Sequence, residues 1–167
     1  NERTLTIKEY WEPEPAKFPN GLASIINRGK ELGIEISLWF ASSSINSFEN
    51  WEKDADVLIG LYKKYGIRTF KNDGVNLPDK QSDVNFRKFL DKVCRETEYN
   101  LIFNQDATFG KHGGYHYFNE YGNIFLENRF TDWQNSFTYF PYRTLRNLWM
   151  LSWYVTPQIL QVEFLNK

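Results

Sequence analysis

The sequence holds a single cysteine, Cys94, in 167 residues. A disulfide framework within the chain is therefore excluded, and the thiol, set among apolar neighbours in a helical pattern, is expected to be buried. No apolar stretch is long enough to read as a membrane span or a signal segment. Charge of one sign is also lacking: 20 basic residues stand against 21 acidic ones, without a long run of either. Nucleic-acid and anionic-membrane surfaces both call for an excess of positive charge, so neither partner is expected. The first residue is Asn1 rather than methionine, which reads as a piece excised from a longer chain. Localisation is left open; a trimmed signal would be compatible with a periplasmic or secreted protein.

Several catalytic signatures are missing too. No glycine-rich phosphate loop follows a strand-like segment, and no Gly-x-Ser-x-Gly elbow occurs. GKHGG at 110–114 is only superficially similar to a phosphate loop, because no helix with a Lys-Ser or Lys-Thr start follows it. His112 and His116 have the spacing of two metal ligands on a helix, yet the glycines between them argue against a helix there. No metal and no cofactor are expected.

Aromatic side chains, in contrast, are abundant: 14 Phe, 10 Tyr and 6 Trp make up 18% of the chain. Flat apolar faces with polar edges suit core packing and the faces of sugars alike. Along the chain one unit recurs, a helix, a turn and a short apolar strand that ends in polar residues. Asn20 can cap a helix with Leu22, Ile25, Ile26 and Leu32 on its apolar face, stopped by Gly33 and followed by a strand at 34–40. A second helix over 51–65 uses Val57, Leu58, Leu61, Tyr62 and Tyr65, ends at Gly66 and delivers the strand IRTFKND. A third, from about Ser82, aligns Phe86, Phe89, Leu90, Val93 and Cys94 on one face. It leads into LIFNQD at 101–106. NIFLEN at 123–128, a helix over 143–154 and LQVEFL complete the series.

Nearly continuous apolar strands alternating with helices imply a parallel sheet covered by helices. Functional groups then collect at the C-terminal ends of the strands. Those ends carry Ser42, Ser43, Lys71, Asp73, Asn104, Asp106, Glu127, Asn128 and Arg129. Alternation places Lys71 and Asp73 on one face of their strand, with Phe70 and Asn72 on the other. Two opposed carboxylates, one ionised and one protonated, are what glycosidic bond cleavage needs. Asp73 and Glu127 could face each other in this way, with Lys71 favouring an ionised Asp73 by its nearby positive charge. The structural alternative is a Lys71–Asp73 ion pair at a strand end and a second pair between Glu127 and Arg129.

KFPNGL at 17–22, GIEISLWF at 33–40 and YGIRTFKND at 65–73 together resemble the central barrel of the clan D glycoside hydrolases, the α-galactosidase or melibiase group. The likeness covers most of residues 8–76. It implies an α/β fold, part of a (β/α)8 TIM barrel running from roughly the third to the seventh strand, with 1–167 as a partial catalytic barrel domain. It implies retaining hydrolysis of α-galactosides or a related α-linked sugar, with Asp73 as the nucleophile. Lys71, Trp39, Trp11, Asn104 and Arg129 would contact the carbohydrate. The family's general acid/base is an aspartate in a Ser-Asp setting; here the stretch reads LENRFTDW, which leaves Glu127 and Asp132 as candidates. A non-catalytic carbohydrate-binding relic of the same barrel is the alternative. A part-barrel has open sheet edges, so the rest of the barrel or a second copy is expected to cover them.

Overall fold

The computed structural model describes residues 11–73, 75–106, 120–126 and 141–162. Through these the chain alternates: α1 (Ala23–Glu31), β1 (Leu38–Ala41), α2 (Trp51–Tyr65), β2 (Thr69–Asp73), α3 (Lys80–Glu96), β3 (Ile102–Asp106), β4 (Gly122–Leu126), α4 (Pro141–Leu151) and β5 (Leu160–Val162), the last preceded by a 3-10 turn at Pro157–Ile159. The five strands form one sheet in the order β1-β2-β3-β4-β5, and every adjacent pair is parallel. Order in space thus follows order in sequence, without the reversal that marks a doubly wound sheet.

Local chemistry sets the helix ends. Asp79 accepts from the Ser82 backbone N–H at 2.7 Å, satisfying one of the unpaired first-turn donors of α3. The helix therefore starts at Lys80, ahead of the Ser82 expected from the apolar pattern. α2 spans the expected residues and stops at Gly66, whose φ of 71° few other residues adopt without strain. The start of α1 differs from expectation. Turns closed by Lys17 and Phe18 on the Glu14 carbonyl, and by Gly21 on that of Phe18, occupy the chain through Asn20. The helix then begins beyond Leu22, with no side-chain cap. Ile26 is buried, whereas Ile25 and Leu32 of the expected apolar face are exposed. β1 is likewise shorter than the 34–40 expected, since the Ile34 amide still bonds to the Gly29 carbonyl and the chain has yet to leave α1.

The faces of the sheet are unlike. Phe40, Phe70, Asn72, Phe103, Gln105 and Ile124 are buried on the side covered by helices. There the ring of Phe89 on α3 lies 6.1 Å from Phe40 and 5.6 Å from Phe103, centroid to centroid. Phe86, Phe89, Leu90, Val93 and Cys94 form the inner stripe of α3 as the spacing predicts, and α2 adds Ala55, Leu58 and Ile59. Burial pushes the Cys94 thiol up to about 11, which leaves it inert. Gly122 opens β4 at φ 147°, with its backbone so close to that of Phe103 that a Cβ would overlap it. The last helix falls at 141–151 rather than 143–154, since residues 152–154 form a turn closed by the Val155 amide on the Leu151 carbonyl.

Candidate functional site at the strand ends

The other face carries Trp39, Lys71, Asp73, Asn104, Asp106, Asn123 and Phe125. Parallel register sets these side chains side by side. Lys71 is opposite Trp39 on one flank and Asn104 on the other, and Asn104 is opposite Asn123. Strand alternation thus has the consequence expected: Lys71 and Asp73 share a face, and Phe70 and Asn72 lie behind it.

Asp73 is the acceptor at the centre of the group. The Trp39 indole N–H donates to its Oδ2 at 2.7 Å, and the Lys71 ammonium stands 3.9 Å from the same oxygen. Lys71 is nearer still to Asp106, at 3.3 Å, and its Nζ sits 4.6 Å above the centre of the Phe125 ring. One ammonium therefore bridges two carboxylates of neighbouring strands. Asp106 is almost wholly buried, while Asp73 stays about one-third accessible and Trp39 is 54% exposed. The Asn104 Oδ1 is buried and has no hydrogen-bond partner among the described residues. A donor from outside this group would satisfy it.

Trp11 lies at the β1 edge, its ring 4.4 Å from Phe40 and 6.1 Å from Trp39. It also lines a cleft of about 360 Å³ with Lys53, Asp56, Leu61 and Tyr65 of α2, on the helix side and away from Asp73. The structure thus brings together Trp39, Lys71, Asp73 and Asn104 of the residues proposed from sequence, with Trp11 at the margin. Glu127, Arg129 and Asp132 lie outside the described residues, as do His112 and His116. Asp106 was visible as a strand-end carboxylate, but its contact with Lys71 depends on the pairing of β2 with β3, which spacing along one strand does not reveal.

Packing and hydrogen bonds hold the loop that leaves β1. Asn46, Ser47 and Phe48 take successive φ values of 45°, 57° and 60°, a left-handed run that costs free energy in non-glycine residues. Packing supports it, with Phe48 buried against Phe86 at 5.4 Å. Polar contacts add to this: Ser47 Oγ donates to Asp79 at 3.2 Å, and Asn85 Nδ2 donates to the Ser47 carbonyl at 2.8 Å. Nearby, Asp54 in the first turn of α2 is fully buried and accepts from the Ser43 N–H at 3.0 Å. Burial pushes its carboxyl up to about 7, against the smaller opposing effect of that hydrogen bond.

Among the described residues no three His, Cys, Asp or Glu side chains are placed to hold a metal ion, and no helix is long and apolar enough to cross a membrane. No protein-family model and no curated protein matches the chain.

Proposed function

We propose that the chain is part of a (β/α)8 barrel that hydrolyses α-galactosides or a related α-linked sugar with retention of configuration. The observation that carries this reading is the Asp73 carboxylate, set at the C-terminal end of a parallel strand, hydrogen-bonded by the Trp39 indole at 2.7 Å and still accessible. Parallel strands in sequential order support the barrel part of the reading, since catalytic groups of barrel enzymes sit at this end of the strands. An exposed tryptophan face beside a carboxylate suits a sugar ring stacked over the reacting group.

In the reaction an Asp73 oxygen attacks the anomeric carbon as the bond to the leaving oxygen breaks, and a second carboxylic acid supplies the proton to that oxygen. Water then cleaves the glycosyl ester, giving its proton back to the same carboxylate. Glu127 and Asp132 are the candidates for that second group. Lys71 and Asn104 are suited to grip sugar hydroxyls.

Labelling the intact protein with a galactose-configured cyclitol aziridine tests the assignment. The reagent alkylates a retaining nucleophile and stops there, so peptide mass spectrometry should find the adduct on Asp73. Turnover of an aryl α-galactoside with the adduct on another carboxylate refutes the role of Asp73. Sugar binding without turnover or adduct favours the carbohydrate-binding relic.

A further inference from the structure

Behind the site, on the helix-covered face, polar side chains run across the C-terminal ends of three strands. The hydroxyl of Ser42, just past β1, donates to Asn72 Oδ1 at 3.4 Å, and Asn72 Nδ2 donates to Gln105 Oε1 at 3.2 Å. Asn72 and Gln105 are both wholly buried, and their other register partners are Phe40 and Ile124. Gln105 Nε2 has no partner at all among the described residues. Apolar side chains in this row would bury no unpaired donor, so the amides are a poor choice for stability alone.

Their placement in sequence suggests what they do. Asn72 sits between Lys71 and Asp73, and Gln105 sits between Asn104 and Asp106. A one-residue slip of β3 against β2 would turn every side chain to the wrong face and is excluded by the hydrophobic pattern. A two-residue slip keeps all faces correct, and in one direction sets Phe103 opposite Asn72 and Ile102 opposite Lys71. Apolar packing discriminates weakly against that slip, whereas the amide pair is broken by it. The same slip would take Asp106 and Asn104 out of their places beside Lys71.

We propose that the buried chain Ser42–Asn72–Gln105 is a positioning device that fixes the register of β1, β2 and β3 under the site. It holds the Trp39 indole on Asp73 and the Lys71 ammonium between Asp73 and Asp106. Buried polar groups are best attested in this register-setting role, in which uniqueness of pairing is gained at some cost in stability. The effect on turnover rests on the glycosidase reading; the effect on site geometry does not.

The test is an Asn72→Leu/Gln105→Met double variant of the intact protein, which removes the amides together and leaves neither unpaired against the other. Three quantities are read: the thermal midpoint, turnover of an aryl α-galactoside, and the indole N–H resonance of Trp39, identified by its loss in Trp39→Phe. The midpoint is expected to stay within about 5 °C of the parent, turnover to fall at least about tenfold, and the indole resonance to move or broaden. An unmoved indole resonance overturns the inference, whatever happens to turnover. If the double variant does not fold, Gln105→Met alone replaces it. That change also deletes the partnerless Nε2 donor, and the same indole criterion applies. A parent protein without turnover refutes the glycosidase reading alone, because the resonance still decides the positioning role.

Discussion

Asp54 gives the protein a stability profile that runs against the usual one for carboxylates. Its side chain is wholly buried and its carboxyl is pushed up from 3.8 to about 7, mainly by loss of hydration. The folded state therefore holds the proton to higher pH than the unfolded chain does. The stabilisation is fully present below about pH 4 and is lost as pH rises through about 7. The interval between an ordinary carboxyl and this one corresponds to on the order of 4 kcal/mol, a large part of the stability of a small domain. Asp54→Asn abolishes the titration while its carbonyl oxygen can still accept the Ser43 N–H. Urea unfolding of parent and variant from about pH 4 to about pH 8 isolates the effect. Exposed groups held low by their partners, such as Asp79 bonded by the Ser82 N–H, act with the opposite sign but equally in both proteins, so they cancel. The variant should gain on the parent steadily as pH rises. Parallel stability curves for the two would refute the assignment of a buried, proton-holding Asp54.

Two other outcomes follow from the packing and from the site. Phe89 is buried between Phe40, Phe86 and Phe103, so Phe89→Ala should cost about 3–5 kcal/mol in urea unfolding of the intact protein; a loss below about 1 kcal/mol would mean α3 is not seated on the sheet as described. On the glycosidase reading proposed above, Asp73→Asn should lower aryl α-galactoside turnover by several orders of magnitude with the unfolding midpoint nearly unchanged, and near-parental turnover would exclude Asp73 from covalent catalysis.

Much of the fold is legible because it rests on strong local signals. The inner stripe of α3 reads straight from its spacing, since Phe86, Phe89, Leu90, Val93 and Cys94 must share one side of any helix through them. α2 reads to the residue because its last turn meets Gly66, which takes the left-handed conformation readily. Where two devices compete, the reading is harder. Asn20 is a good cap in isolation, but turns on the Glu14 and Phe18 carbonyls occupy the chain there and postpone the helix past Leu22. Ile34 is a good strand former, but its amide is taken by Gly29. In both places a backbone hydrogen bond decides, and propensity does not report it.

The site divides in the same way. Alternation within β2 is enough to put Lys71 and Asp73 on one face. Contacts between strands are another matter, because they depend on register, and register is a property of pairs. The Trp39 indole on Asp73 joins residues 34 positions apart, and Lys71 meets Asp106 only because Lys71 stands opposite Asn104. Asn72 and Gln105 carry the information that sets this pairing, yet each reads alone as an ordinary polar residue at a strand end. Their burial, 0% exposed for both, separates them from Asn104, which faces the site from the same strand as Gln105. A strand in which polar residues occur on both faces near its C-terminal end thus carries two kinds of chemistry: the outward residues face the site, and the inward ones determine which outward residues of the next strand stand beside them.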